Sequence, residues 1–581
     1  MADRCPSTMQ ETLHDRAVGS TVPGDGARAC SPEELKCHIW LVLLAITAFW
    51  VAFKSPVDHA GSDPKGTLLT SQAILESGSA RLDSYAAQDN SWVSPGQPDR
   101  FVSRHDHIYY RFPMAPALVS LPFVWMANLQ GKDMHKPTTD AETQNLLSAL
   151  LVAVSVLLAY SLGRRFADPM PALLLTVGFV FGGPIMSTGG TALWNSGVAA
   201  LLGIAAVMLM TDFARGQKPP IVLLAMLLVL SLFSRPTMAV LFGLSVPYVW
   251  KVRRDLWVRF TVVLTCTSVA VFLVHVRLYD GCLLAYYHPS RMARPWWLLM
   301  TLGCVALGGV YLGRRLLPRL ARQSLRGSNR ASSGDGVDLR MIRPSRRVRV
   351  LFTTAYGLAL AMLLGFLLSL PRILNRSTIT RTSILPNYRE VTETLRAAYG
   401  VLLSPGRGVF VYSPYLLLTL VAILAGWRRL KTNPLFWLSA AWFAVHTLTV
   451  ARPFRWHGGH CFGSRMYLDA FSSLMLLTLL AWQARPTRRS RLLGLALGIA
   501  VGFGVFINTY QGMFNRNTIL WNRDPNVDVY SRQLLDWRYP LFLASPSQLE
   551  ARAAEHERWL AERAEKALNL PGLRVDLNKG P

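Results

Sequence analysis

The sequence predicts an all-α polytopic membrane protein, a bundle of about thirteen transmembrane helices with interfacial helices in its first outer loop. Three observations carry that expectation. Of the 581 residues 51% are hydrophobic and only 16% charged, with a mean hydropathy of +0.27. Apolar runs near the ~20 residues needed to cross hydrocarbon recur along most of the chain. The arginines behind the formal charge of +27 sit in short clusters between those runs, as the positive-inside rule requires of cytoplasmic loops. In lipid the backbone must satisfy its own hydrogen bonds, so such runs become helices. The placement of the charge excludes nucleic acid as a partner, since the basic residues are not interleaved with exposed aromatics on a soluble face.

Residues 1–37 read as a polar, disordered cytoplasmic tail rich in Gly, Ser and Asp. Residues 38–509 read as the membrane domain, opening with an uncleaved anchor at 38–53. The first outer loop follows over 54–142. Within it, 113–131 is apolar but broken by Pro113, Pro116 and Pro122, which suits a helix lying flat at the interface as well as a span. Further spans are expected near 143–162, 169–186, 196–213, 220–233, 236–250, 260–275, 296–312, 350–370, 409–426, 434–450, 466–482 and 492–509.

Loop charge decides the count. Arg164/Arg165, Arg215/Lys218, Lys251/Arg253/Arg254, the basic cytoplasmic loop 313–349, Arg428/Arg429/Lys431 and Arg485/Arg488/Arg489 fall on one side only if 113–131 does not cross. That alternation puts the N-terminus in the cytoplasm and the tail 510–581 outside it, in a multi-pass protein of the cell inner (plasma) membrane. In the tail, Ser545-Pro546-Ser547-Gln548 offers an N-cap, a proline at the first helical position and a capping-box glutamine, predicting a helix over about 546–569.

Chemistry-bearing residues collect in the outer loops. Asp63, in Gly61-Ser62-Asp63 just past the first span, suits a general base or metal ligand at the interface; the competing reading is a solvated carboxylate or helix cap. His105-Asp106-His107, ahead of Arg111, has the spacing of a divalent-metal pair only if extended, and lacks an evident third ligand. Trp456-His457-Gly458-Gly459-His460-Cys461-Phe462-Gly463-Ser464-Arg465 combines close-approach glycines with arginines on the outer side, where an anionic phosphate or a lipid headgroup gives them a reason to stand. Arg235 is a second such exception. Cys282 and Cys461 both fall outside, where a disulfide or two free thiols are open.

Taken in order, Gly61-Ser62-Asp63 with Arg81-Leu82-Asp83, the proline-bearing 107–122, Leu193-Trp194, the stretch Leu403-Ser404-Pro405-Gly406-Arg407-Gly408, residues 456–468 and Asp536-Trp537-Arg538 resemble the GT-C superfamily of integral membrane glycosyltransferases. The bacterial members similar to protein O-mannosyltransferases and lipid A aminoarabinose transferase match best. The resemblance covers about residues 38–543 and implies a GT-C-like bundle. It implies Asp63 as catalytic base and Arg465, Arg111, Arg407, His107 and Trp456 as binding groups for a lipid phosphate or sugar. The implied donor is a polyprenyl-phosphate sugar, used with inversion, and the acceptor a lipid, glycan or protein, with membrane lipids around. No Asp-Glu or Asp-x-Asp pair stands beside Asp63, so no metal ligands are assigned, although a divalent metal stays open as a cofactor. The competing function is a transporter or flippase of a lipid-linked saccharide, disfavoured by spans nearly free of charge and by the lack of a fixed-period repeat.

Overall fold

A computed structural model describes residues 32–88, 91–94, 100–281, 388–451, 456–485 and 490–568. The chain is an all-α polytopic membrane protein. Among the described residues five helices are long and apolar enough to cross a membrane: Glu34–Phe53, Pro137–Gly163, Asn195–Ala214, Arg254–Leu278 and Leu492–Phe514. Shorter apolar helices accompany them at Ala115–Leu129, Pro169–Val180, Ile221–Ser234, Pro434–Val450 and Phe471–Ala484. The spans expected at 296–312 and 350–370, the basic loop 313–349, Cys282 and most of the tail 1–37 lie outside the described residues.

Packing sorts the helices into a hub and a rim. Every residue from Phe471 to Ala481 is buried, and this helix packs against Tyr415–Leu430, Pro434–Val450 and Asn195–Ala214. A helix apolar all round belongs at such a centre. The rim shows the opposite arrangement. Leu417, Leu420, Val421 and Leu424 face outward from one helix, and Leu492, Leu495, Ile499 and Phe503 from another. Steps of three and four residues align these side chains on a single stripe. Large apolar side chains lined up outward are what hydrocarbon as solvent asks of a helix.

The two ends of the bundle differ. At one, Arg165 grips Asp212 through Nε and Nη2 at 2.8 and 2.9 Å, tying together the exits of Pro137–Gly163 and Asn195–Ala214. Arg253 donates to the Gly216 and Gln217 carbonyls at 3.2 and 2.9 Å. At the opposite end the first loop meets the later loops. The His59 N–H donates to Thr191 O at 3.0 Å, and Arg81 Nε to Asp280 at 2.7 Å. Among the described residues, arginine contacts gather at one end of the bundle and the long loops meet at the other.

Residues 113–131 are bound at both ends to one neighbouring helix. They form the helix Ala115–Leu129, whose entry and exit are both held by the first-loop helix Thr67–Ser77. Ser71 Oγ donates to Ala117 O at 2.8 Å; past the exit, Gln72 donates to Asp133 at 2.9 Å and accepts the Met134 N–H at 2.7 Å. Ahead of it, Phe101–Arg104 and His107–Tyr110 pair as an antiparallel hairpin. His105 and Asp106 turn it at φ 47° and 62°, the left-handed pair that a tight two-residue turn needs.

Some boundaries differ from expectation for local reasons. The run 409–426 is broken at Ser413-Pro414, so its long helix is Tyr415–Leu430. The run 169–186 stops at Val180, ahead of Gly182-Gly183-Pro184, which gives way to a wider turn at Ile185–Gly189. In the tail, the Gln548 N–H donates to Ser545 Oγ at 3.3 Å, capping the helix Pro546–Leu568.

In a cysteine-free background, Gly61→Cys and Thr432→Cys are expected to react with a membrane-impermeant maleimide from opposite faces of oriented vesicles. Labelling of both from one face would contradict the alternation.

Candidate active site

Asp63 is placed by a run of tight turns. Asp58 Oδ1 accepts the Ala60 N–H at 2.7 Å, an Asx-type turn. The Ser62 N–H donates to His59 O at 2.9 Å and the Lys65 N–H to Ser62 O at 3.1 Å. Gly66, at φ 115°, then admits the chain into Thr67–Ser77; a Cβ there would lie 2.7 Å from the Tyr110 ring and requires the left-handed backbone besides. The Tyr110 hydroxyl donates to the Asp63 carbonyl and meets Thr67 Oγ1 at 3.1 Å. The hairpin thus clamps the Asp63 backbone from behind.

Arg465 comes to it from 402 residues away. Its Nη2 donates to Asp63 Oδ2 at 2.5 Å, and its Nη1 to Gly458 O at 2.9 Å. The guanidinium lies 3.8 Å from the centroid of the Trp194 ring, a cation–π contact. Arg465 is 7% exposed, yet Nε is buried without a hydrogen-bond partner. The loop that delivers it depends on Gly463, at φ 59°, where a Cβ would sit 2.5 Å from the Tyr412 ring. His59 packs beside the same tryptophan, ring centroids 6.0 Å apart.

Electrostatics favour an anion here. Burial works to raise the Asp63 pKa, but the Arg465 charge and hydrogen bond, with Arg235 and Arg100 behind them, outweigh it and hold the carboxyl below its ordinary value. His59 is pushed down to about 4 by burial first and by Arg465 next. A carboxylate kept ionised, a histidine kept neutral and converging guanidinium charge describe a positive recess with one base in it.

The other expected binding residues part company. Arg407 is 2% exposed and spends its donors on the protein: Nε on His457 O at 2.8 Å, Nη1 on Gly406 O at 2.8 Å, Nη2 on Gly459 O at 2.9 Å and on Asn522 Oδ1 at 2.7 Å. It braces the loop carrying Arg465 rather than facing a ligand. His107 bonds Asp83 at 2.8 Å, which holds the hairpin to the first loop. Trp456 is buried against Gly400 as a packing residue. Arg111 closes the hairpin, its N–H donating to Arg100 O at 2.8 Å. Cys461 is buried, its thiol donating to His457 O at 3.6 Å.

A second buried group was hidden within an expected span. Asp469 is fully buried, accepts from Thr237 Oγ1 and stands 3.4 Å from Arg235 Nε and 3.8 Å from His446 Nε2. It explains why Arg235 stands at the loop-rich end. The signal available was a lone acid in an apolar run, which in a membrane protein marks a partnered or working group. Among the described residues, no three His, Cys, Asp or Glu side chains converge as a metal set requires. Asp63 gives one carboxylate oxygen to the Arg465 guanidinium.

No protein-family model and no curated protein matches this chain. Among solved structures it is similar to the apo oligosaccharyltransferase of Archaeoglobus fulgidus, at 14% identity and TM-score 0.46, over 86% of this chain and 60% of that one. It is similar also to the oligosaccharyltransferase AglB of that organism in complex with an inhibitory peptide and a dolichol-phosphate (12%, TM-score 0.46, 86% and 60%). A third similar structure is the enzyme tethered to an acceptor peptide containing the NVT sequon (13%, TM-score 0.44, 86% and 59%). The chain spans about three fifths of the length of these structures, and a likeness this distant assigns no chemistry.

Two outcomes follow from the geometry. His59 is neutral in the fold down to pH about 4 but takes a proton near pH 6.5 once unfolded. The unfolded state therefore binds more protons across that window, and stability falls as pH drops through it. Thermal unfolding in detergent at pH 7 and pH 5 should show the loss, and His59→Gln should shrink it; equal losses in both proteins would contradict the assignment. Arg407→Ala should lower stability by about 1–3 kcal/mol, having stripped buried carbonyls of their donor, measured as a fall in the unfolding temperature.

Proposed function

We propose that this protein is a membrane glycosyltransferase of the GT-C type, moving a sugar from a polyprenyl-phosphate carrier to an acceptor hydroxyl on the non-cytoplasmic side. The observation that carries the reading is the Asp63–Arg465 pair at 2.5 Å, set in a positive recess at the loop-rich end of a hydrophobic bundle. The ordered motifs of the sequence support the same class. The arginine-rich end is assigned to the cytoplasm by the positive-inside rule, which puts the N-terminus inside, the tail 510–581 outside, and Asp63 at the outer boundary of the inner (plasma) membrane.

In this reading the lipid phosphate rests against Arg465, with Arg235 and Arg100 adding positive potential from further back. The acceptor hydroxyl approaches the anomeric carbon from the face opposite the phosphate. Its proton passes to Asp63 as the new C–O bond forms. The bond from the anomeric carbon to the phosphate oxygen breaks with its electron pair staying on the phosphate, where the guanidinium groups stabilise the added charge. A single displacement of this kind inverts the anomeric centre. No step is routed through a metal.

Donor binding also tunes the base. With Asp63 as the one anion paired with Arg465 among the described residues, the carboxyl is held low and is a weak base. An anionic phosphate arriving at the same guanidinium shares that charge, so the Asp63 pKa rises when the donor is in place. The base strengthens only when there is a sugar to transfer.

In proteoliposomes supplied with undecaprenyl-phosphate sugars, Asp63→Asn is expected to lower transfer by about 10²–10⁴-fold while undecaprenyl phosphate still binds. Arg465→Ala should weaken that binding. Full transfer by Asp63→Asn would remove the residue from the mechanism, and carrier translocation without transfer would point to a flippase instead.

A further inference from the structure

At the arginine-rich end a cavity of about 300 Å³ opens where four helices meet, between the exits of Asn195–Ala214, Ala239–Val252 and Phe471–Ala484 and the start of Pro434–Val450. Phe166, Val252 and Leu435 give it apolar walls, while Arg215, Asn433 and Gln483 supply polar groups. The recess proposed for sugar transfer lies at the other end, so this cavity belongs to no step of that reaction.

The cation in it has no ion-pair partner among the described residues. Arg165, the neighbouring guanidinium, takes both oxygens of Asp212 at 2.8 and 2.9 Å, and the Asp212 carboxylate acts on the Arg215 guanidinium only through its charge, with no ion pair between them. Arg253 is matched likewise by Asp255 at 2.8 Å. Arg215 lies instead over the Phe166 ring, 5.6 Å from its centroid. Among the described residues no carboxylate forms an ion pair with it. Asn433 uses its Oδ1 on the Leu435 N–H at 2.9 Å, so the group it has left to offer a ligand is its amide N–H₂ donor. A guanidinium and an amide donor above apolar walls, at the depth where helices leave the hydrocarbon, match a phosphate joined to acyl chains. A soluble anion would leave the apolar walls in water.

We propose that this cavity is a specific site for the phosphate headgroup of an anionic membrane phospholipid, held by Arg215 and Asn433 with its acyl chains along Phe166, Val252 and Leu435. The site faces the leaflet opposite the one that serves the transfer reaction and stands whether or not that reaction is as described.

The test compares the full-length protein in nanodiscs of dioleoylphosphatidylglycerol and of dioleoylphosphatidylcholine, with native mass spectrometry of lipids retained after partial delipidation. Wild type is expected to keep one phosphatidylglycerol and to unfold several degrees higher in that lipid. Arg215→Gln should bind it at least tenfold more weakly and lose the difference in unfolding temperature. Val252→Trp, which fills the cavity from its wall and leaves the charge in place, should do the same, while Lys431→Gln, an exposed cation at the same end, should not. Equal retention in wild type and both cavity variants would overturn the proposal. So would displacement of the lipid by inorganic phosphate, which marks a small-anion site, or by equimolar undecaprenyl phosphate, which marks a second carrier site.

Discussion

The contact between Asp63 and Arg465 is the constraint on which the rest of the loop-rich end depends. It joins two loops 402 residues apart, and almost every oddity nearby serves to deliver one partner or the other. Gly66 and Tyr110 fix the Asp63 backbone; Gly463, Trp194 and the buried Arg407 fix the loop of Arg465. A buried guanidinium is costly unless its N–H groups are met. Arg407 has solved that problem wholly within the protein. Arg465 has not, since its Nε finds no acceptor. In the proposed reading, that remaining donor is what separates a binding group from a brace.

The same pair carries the electrostatics. Asp63 feels Arg465 first among charges, then Arg235 and Arg100, and His59 is held neutral beside them. Arg235 can stand there because Asp469, buried to exclusion of solvent, stands 3.4 Å from it. Positive potential at this end is therefore built from arginines whose positions are fixed by packing, so little rearrangement is needed when an anion arrives.

Much of the fold was legible in the sequence, because lipid leaves few solutions for an apolar run and because loop charge records which side each loop occupies. That logic reads 113–131 as a helix that does not cross; what the structure adds is that the helix Thr67–Ser77 holds both its ends. Helix breaks were less legible. Pro414 and Gly182-Gly183-Pro184 interrupt runs that hydropathy alone treats as continuous. At the candidate site, Asp63 and Arg465 each stood out, one as an acid past a span and the other as an arginine on the unexpected side. Their pairing did not, because nothing local links positions so far apart. Arg407 looked the same as Arg465 in sequence, since an outer arginine reads alike whether it meets a phosphate or four oxygens of its own protein. Asp469 was concealed by the apolar residues around it.

The central claim is that Arg465 holds a lipid phosphate within reach of Asp63. Electron cryomicroscopy of the protein in nanodiscs saturated with undecaprenyl phosphate tests it most directly. The account predicts phosphate density within hydrogen-bond distance of the Arg465 guanidinium, with the Asp63 carboxylate facing the same space. Carrier phosphate found only at the arginine-rich end, or an unchanged Asp63–Arg465 pair with no density beside it, would contradict it.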